Sequence, residues 1–60
     1  MAQHMLTAKE LADRWATSVA ALANWRSAER GPAYVKLGRR VRYRLDDVER
    51  FEREHTVTQS

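Results

Sequence analysis

Basic side chains are concentrated in one part of this 60-residue chain. Between residues 26 and 44 there are seven basic residues and a single acid, Glu29. The seven are Arg26, Arg30, Lys36, Arg39, Arg40, Arg42 and Arg44. The rest of the chain holds four basic residues against seven acids, so this segment carries the positive charge. A solubilising face is the alternative explanation, but such a face usually mixes both signs. The segment therefore predicts a polyanion as the partner.

Residues that could support other chemistry are sparse. The chain has no cysteine, and its two histidines, His4 and His55, lie near opposite ends, so we expect no disulfide, no metal site and no cofactor. No cluster of nucleophile, base and orienting group appears, which argues against an enzyme. No apolar run reaches the roughly 20 residues that span a bilayer, and none resembles a secretory signal. We expect a cytoplasmic protein.

The elements that must position the basic segment begin with a short helix. Thr7 and Glu10 have the spacing of a capping box, and Leu6 and Leu11 that of a hydrophobic staple, so the helix should begin at Ala8. Sixty residues form at most one small domain. We place it at residues 6–55 and expect flexible ends at 1–5 and 56–60.

A second helix is predicted from residue 19 to about 28, after a turn at residues 16–18. Its inward positions are Ala21, Leu22, Trp25 and Ala28, and both tryptophans, Trp15 and Trp25, are expected in the core. Its outward positions are Ala20, Ala23, Asn24 and Ser27. The pair Gly31 and Pro32 should end this helix.

Apolar and polar residues alternate over residues 34–45, which predicts a β-hairpin around Gly38. A two-residue loop at 38–39 would set Leu37 opposite Arg40. A three-residue loop at 38–40 would instead pair Leu37 with Val41 and Val35 with Tyr43, and a bulge or a five-residue loop would keep the same parity. We favour the three-residue loop, which places Arg39 and Arg40 at the tip.

A last helix should follow, with Asp46 as N-cap and Glu49 completing a second capping box. Val48 and Phe51 would face inward, and His55 would be partly buried at the edge. The order of helix, turn, helix, hairpin and helix predicts an α+β fold of the small winged helix-turn-helix class.

The chain resembles the MerR-like winged helix-turn-helix domains of phage excisionases and AlpA-type regulators over about residues 5–55. The resemblance lies in the tract LTAKELA at 6–12, in Trp25, in GPAYVKLGRRVRYR at 31–44 and in DDVERF at 46–51. It implies sequence-specific binding of duplex DNA. The helix after Ser18 would be the recognition helix, and the hairpin at 36–42 would be the wing. Relatives often carry basic or aromatic residues where this chain has Ala20 and Ala23, so few groups should read bases.

Asn24 is the best candidate for reading a base, because an amide can pair with both N6 and N7 of adenine. An exposed residue without a contact is the alternative. Thr17 and Ser18 would cap the helix or donate to phosphate. Arg26 and Arg30 should meet phosphates, and plain solvation is the alternative. Arg39 and Arg40 should meet a phosphate or a narrow minor groove. The resemblance also implies a bacterial host cell and association with its nucleoid. The full set of candidate DNA contacts is Thr17, Ser18, Ala20, Asn24, Arg26, Ser27, Arg30, Lys36, Arg39, Arg40 and Arg42.

The chain stops within about ten residues of Phe51, so we expect neither a sensor domain nor a long dimerisation helix. This favours an excisionase-like architectural factor that binds repeated sites, bends DNA and helps a phage integrase remove a prophage, with possible head-to-tail contacts between copies. A small phage or prophage transcriptional regulator of the same fold is the main alternative. A module that binds an acidic protein is the alternative from another class.

Overall fold

Three helices and a three-stranded antiparallel sheet make up residues 4–57, the part of the chain that the computed structural model describes. In chain order they are β1 (Met5–Thr7), α1 (Ala8–Arg14), α2 (Val19–Ser27), β2 (Val35–Leu37), β3 (Arg40–Arg44) and α3 (Leu45–Glu54). The strand order is β1-β3-β2, so β3 is the central strand. This architecture confirms the predicted α+β winged helix-turn-helix class.

Helix α1 begins as its capping box predicts. The hydroxyl of Thr7 accepts from the N–H of Glu10 at 3.0 Å, and the Glu10 carboxylate accepts from the N–H of Thr7 at 2.8 Å. This backbone hydrogen bond is the main cause that lowers the pKa of the Glu10 carboxyl. After α1 the chain turns at Ala16, which has a left-handed φ of 55°, and the N–H of Thr17 donates back to the carbonyl of Ala12. The turn between the two helices is thus closed by backbone hydrogen bonds.

Helix α2 begins after Ser18, whose hydroxyl accepts from the N–H of Ala21 at 3.0 Å. The prediction that Gly31 and Pro32 end this helix was wrong. Glu29, with φ 58°, is the left-handed residue at its end, and the N–H of Arg30 donates to the carbonyl of Trp25 at 2.7 Å. Gly31 serves another purpose, since a Cβ on it would lie 3.1 Å from the Trp25 ring.

The hairpin has the two-residue loop, so the register that we favoured was wrong. Val35 lies opposite Arg42, Lys36 opposite Val41 and Leu37 opposite Arg40. Gly38, with φ 63°, takes the first central position of the loop, where a type II′ turn places glycine. The expected partner of Tyr43 was Val35, but its partner is Leu6 on the other side of β3. The longer loop was favoured because it gave Tyr43 an apolar partner. Leu6 of β1 is that partner in the structure, so the shorter loop is sufficient.

Strand β1 was not predicted, and it includes Met5, one residue before the predicted domain boundary. Helix α3 also begins earlier than predicted, directly after β3, with Arg44 as N-cap and no side-chain cap. The reason is that pairing with β1 continues to the end of β3, where the N–H of Leu45 donates to the carbonyl of His4. Asp46, predicted as N-cap, therefore lies within the first turn, where its charge still suits the helix dipole.

The core draws its largest side chain from the sheet. Tyr43 and Val48 are almost fully buried with four other residues, Leu6, Leu11, Ala12 and Leu22. The tryptophans were expected there, but Trp15 packs only at the edge and Trp25 is 39% exposed. The Tyr43 ring, together with the leucines, fills the space between the helices and the sheet, which leaves the tryptophans outside.

The two tryptophans instead form an aromatic cluster with Phe51, with ring centroids 5.5 to 6.2 Å apart. His55, expected to be partly buried, is exposed and stacks on Phe51. Glu52 ties the cluster to α1, because its carboxylate accepts two hydrogen bonds from Arg14 and one from the indole N–H of Trp15, at 2.6 to 2.8 Å. These donors, the Arg14 guanidinium first, lower the pKa of the Glu52 carboxyl to about 2.

Candidate nucleic-acid interface

Most of the outer face of α2 is exposed, but Ala23, which the sequence also placed on this face, is half-buried. Ala20, Asn24 and Ser27 are exposed along it, whereas Leu22 on the opposite side is buried. The Asn24 amide forms no hydrogen bond within residues 4–57. Thr17 and Ser18 lie exposed just before the helix, with the Ser18 hydroxyl engaged in capping. This face has the small side chains and the single free amide that the sequence predicted.

A groove runs between α2 and the hairpin, and we call it the wing groove. It is lined by Ala23, Arg26, Ser27, Tyr34, Lys36, Arg39 and Val41. Lys36 faces it because the register places Lys36 on the same side of the sheet as Val41 and Tyr43. Arg39 reaches it from the loop. The groove therefore brings two cations of the hairpin, Lys36 and Arg39, next to the outer face of α2.

Arg40 and Arg42 do not belong to this groove. Successive side chains of a strand point to opposite faces, so Arg40 and Arg42 lie on the outer face of the sheet with Leu37, which is 59% exposed. Arg42 is half-buried and donates to the carbonyl of Val41, and its charge helps to lower the pKa of the Glu10 carboxyl. The prediction that Arg40 lies with Arg39 in the hairpin loop was therefore wrong, because Arg40 is the first residue of β3. The DNA contacts predicted for Arg40 and Arg42 stay predictions.

The chain matches the family described as a helix-turn-helix domain over residues 5–56, nearly its whole length. It belongs to this helix-turn-helix family. The family includes AlpA-like and excisionase-like DNA-binding proteins, and such a domain implies binding to double-stranded DNA. No curated protein sequence and no solved structure matches the chain significantly. Within residues 4–57, no helix is long and apolar enough to cross a membrane.

Two arginines of this helix-turn-helix domain lie near the end of α2, and their surroundings differ. Arg30 is exposed beside Pro32 and Tyr34, on a shallow surface that continues from α2. Arg26 is half-buried, and its Nη1 donates to the hydroxyl of Tyr43 at 2.6 Å. The sequence predicted phosphate contacts for both arginines, but in the structure the Arg26 guanidinium is engaged within the protein.

Tyr34, Ala23 and Val41 line the wing groove, and none was predicted as part of the site. The alternating pattern contained the signal for Tyr34, because it is two residues from Lys36 in the hairpin segment. Val41 could be assigned to the wing groove only with the correct register. The longer loop would pair Val41 with Leu37, whereas in the structure it lies opposite Lys36. Small and apolar residues in a basic groove give no charge signal in the sequence.

Proposed function

We propose that this domain binds double-stranded DNA in a sequence-specific manner, with α2 in the major groove and the hairpin tip on the phosphate backbone. The wing groove carries the proposal. It places Lys36 and Arg39 of the hairpin beside the exposed face of α2, so one duplex can contact both. In this proposal the protein binds DNA and catalyses no reaction itself.

Few groups on α2 can read bases. The free amide of Asn24 fits adenine, and the methyl group of Ala20 fits the methyl group of thymine. Phosphate contacts should therefore supply most of the affinity, from Ser27, Lys36, Arg39 and Arg30. Affinity that depends on phosphates falls steeply as the salt concentration rises.

The biological role that we propose is that of an excisionase-like factor, which binds repeated sites, bends DNA and promotes excision by a phage integrase, with contacts between neighbouring copies. Membership of a family that includes excisionase-like proteins supports this role. The same membership supports a small transcriptional regulator. Footprinting distinguishes them, because direct repeats at a recombination site indicate the first and a single operator at a promoter indicates the second.

The matched pair Arg39→Ala and Arg42→Ala tests the interface. Both variants remove one positive charge from the hairpin, but only Arg39 lines the wing groove. Losing one phosphate contact should reduce the slope of log affinity against log salt by about 0.9 for Arg39→Ala, and Arg42→Ala should keep the parental slope. Titration of a labelled duplex at several salt concentrations measures both slopes.

Equal slopes for Arg39→Ala and the parent protein would remove the wing groove from the interface. If the parent protein also selects no sequence from a random duplex library, the hairpin faces another partner, and binding to an acidic protein becomes the better explanation.

A further inference from the structure

We infer that Arg26 is a positioning residue, which holds the recognition helix and the wing at a fixed spacing and does not itself contact phosphate. The inference rests on the proposed function, because the spacing matters only if one duplex contacts both elements. It assigns to Arg26 a role different from the phosphate contact that its charge suggests.

Arg26 connects three parts of the chain. It lies in the last turn of α2, and its Nη1 donates to the Tyr43 hydroxyl of the central strand β3 at 2.6 Å. Its guanidinium carbon lies 5.7 Å from the centre of the Tyr34 ring, just before β2. The rings of Tyr34 and Tyr43 are 6.2 Å apart. One side chain thus joins α2 to the central strand β3 and to the residue that leads into β2.

Two groups of side chains fix the position of α2 relative to the hairpin: Leu22 in the core cluster that includes Tyr43, and Arg26 at the wing groove. The backbone of α2 packs closely against α1 and makes no comparably close approach to β2 or β3. Side chains must therefore set the width of the wing groove. A hydrogen bond from a charged donor is stronger than one between neutral groups, and a guanidinium over an aromatic ring adds further attraction. Arg26 supplies both interactions.

The effect of this link should differ between specific and random DNA. On a specific site, α2 and the hairpin tip must reach their contacts together, so a looser wing weakens the complex. On random duplexes, binding depends on the number of phosphate contacts, which a looser wing leaves unchanged.

The decisive variant is Tyr43→Phe, because it removes only a hydroxyl from a residue that is 1% exposed and cannot touch DNA. The probe is a duplex that the parent protein selects from a random library. Losing one net hydrogen bond should lower the affinity for this duplex roughly fivefold. The affinity for a random duplex and the salt slope should stay at the parental values.

Arg26→Lys keeps the charge and loses the geometry of the guanidinium, so it should show the same pattern. The double variant with Tyr43→Phe and Arg26→Lys should bind the selected duplex no more weakly than Arg26→Lys alone. The reason is that both changes break the same contact between the two side chains. Glu52→Gln is the control for stability, since it weakens the opposite side of the domain. It should bind the selected duplex with the parental affinity.

A parental affinity for Tyr43→Phe, together with a flatter salt slope for Arg26→Ala, would overturn the inference and make Arg26 a phosphate contact. The proposed function would survive that result. Failure of the parent protein to select any sequence is a different outcome, and it would overturn the proposed function and the inference together.

Discussion

The two flanks of α2 are built from different chemistry. Trp25 and Arg26 are consecutive in the sequence, but Trp25 packs against Trp15 and Phe51, whereas Arg26 lies in the wing groove. On the aromatic flank, rings are in contact and Glu52 accepts three hydrogen bonds. On the groove flank, the cationic side chains of Arg26, Lys36 and Arg39 line an open surface.

In the proposed complex with DNA, this difference separates stability from recognition within one helix of nine residues. Consecutive residues on a helix point about 100° apart, so neighbours can serve different surfaces. Changes on the aromatic flank should alter the free energy of unfolding and leave DNA contacts intact. Changes in the wing groove should weaken DNA binding and leave the free energy of unfolding intact. The following experiments test this separation.

The largest effect should come from Trp15→Ala, with a loss of about 3 kcal/mol in the free energy of unfolding. The variant loses ring contacts with Trp25 and Phe51 and the hydrogen bond to Glu52. The total free energy of unfolding of a domain of this size is only about a few kcal/mol, so urea denaturation should find the variant largely unfolded.

Trp25→Ala should cost less, about 2 kcal/mol, because part of its ring is already exposed. Lys36→Ala, in the groove, is the control and should change the free energy of unfolding by less than about 0.5 kcal/mol. A loss for Lys36→Ala as large as that for Trp15→Ala would show that the two flanks are not separate.

An intermediate effect is expected for Glu52, and it should depend on pH. The folded state lowers the pKa of this carboxyl from its usual 4.5 to about 2, so the charged form stabilises the fold above pH 4.5. That stabilisation should disappear as the pH falls toward 2. Near pH 7, Glu52→Gln should cost about 1 kcal/mol, because solvent partly screens the ion pair with Arg14.

Urea midpoints of the parent and of Glu52→Gln, measured from pH 7 down to pH 2, check this expectation. The difference between them isolates Glu52, because the other carboxyls are common to both proteins. A difference that stays constant down to pH 2 would mean that the charge of Glu52 does not stabilise the aromatic flank.

The smallest effect should be a gain from Ala16→Gly, of about 0.5 kcal/mol. Ala16 has a φ of 55°, a left-handed conformation that costs an alanine roughly 1 kcal/mol and a glycine almost nothing. The greater flexibility of the unfolded glycine chain offsets part of this gain. Thermal unfolding should show a melting temperature a few degrees higher, and a lower one would show that the turn does not strain this residue.

Local signals in the sequence were sufficient for the starts of the first two helices. Thr7 with Glu10 and Ser18 with the helix that follows are contacts between residues three apart, so a short stretch of chain contains both partners. The order of elements followed from the same signals and predicted the winged helix-turn-helix class. The exposed face of α2 was predictable in part. Ala20, Asn24 and Ser27 are exposed as helical periodicity predicts, but Ala23 is half-buried. Trp25 and Ala28 were predicted to face inward, and both are exposed.

Contacts between distant residues decided the rest. The pairing of Leu6 with Tyr43 across 37 positions created β1, while the hairpin register placed Arg42 on the face away from the groove. The same long-range packing put Tyr43 in the core, left Trp25 at the surface and gave Arg26 a phenol as its partner. The composition predicted a basic surface, but a strand turns each side chain to one face or the other only when its register is fixed, and partners far along the chain fix it.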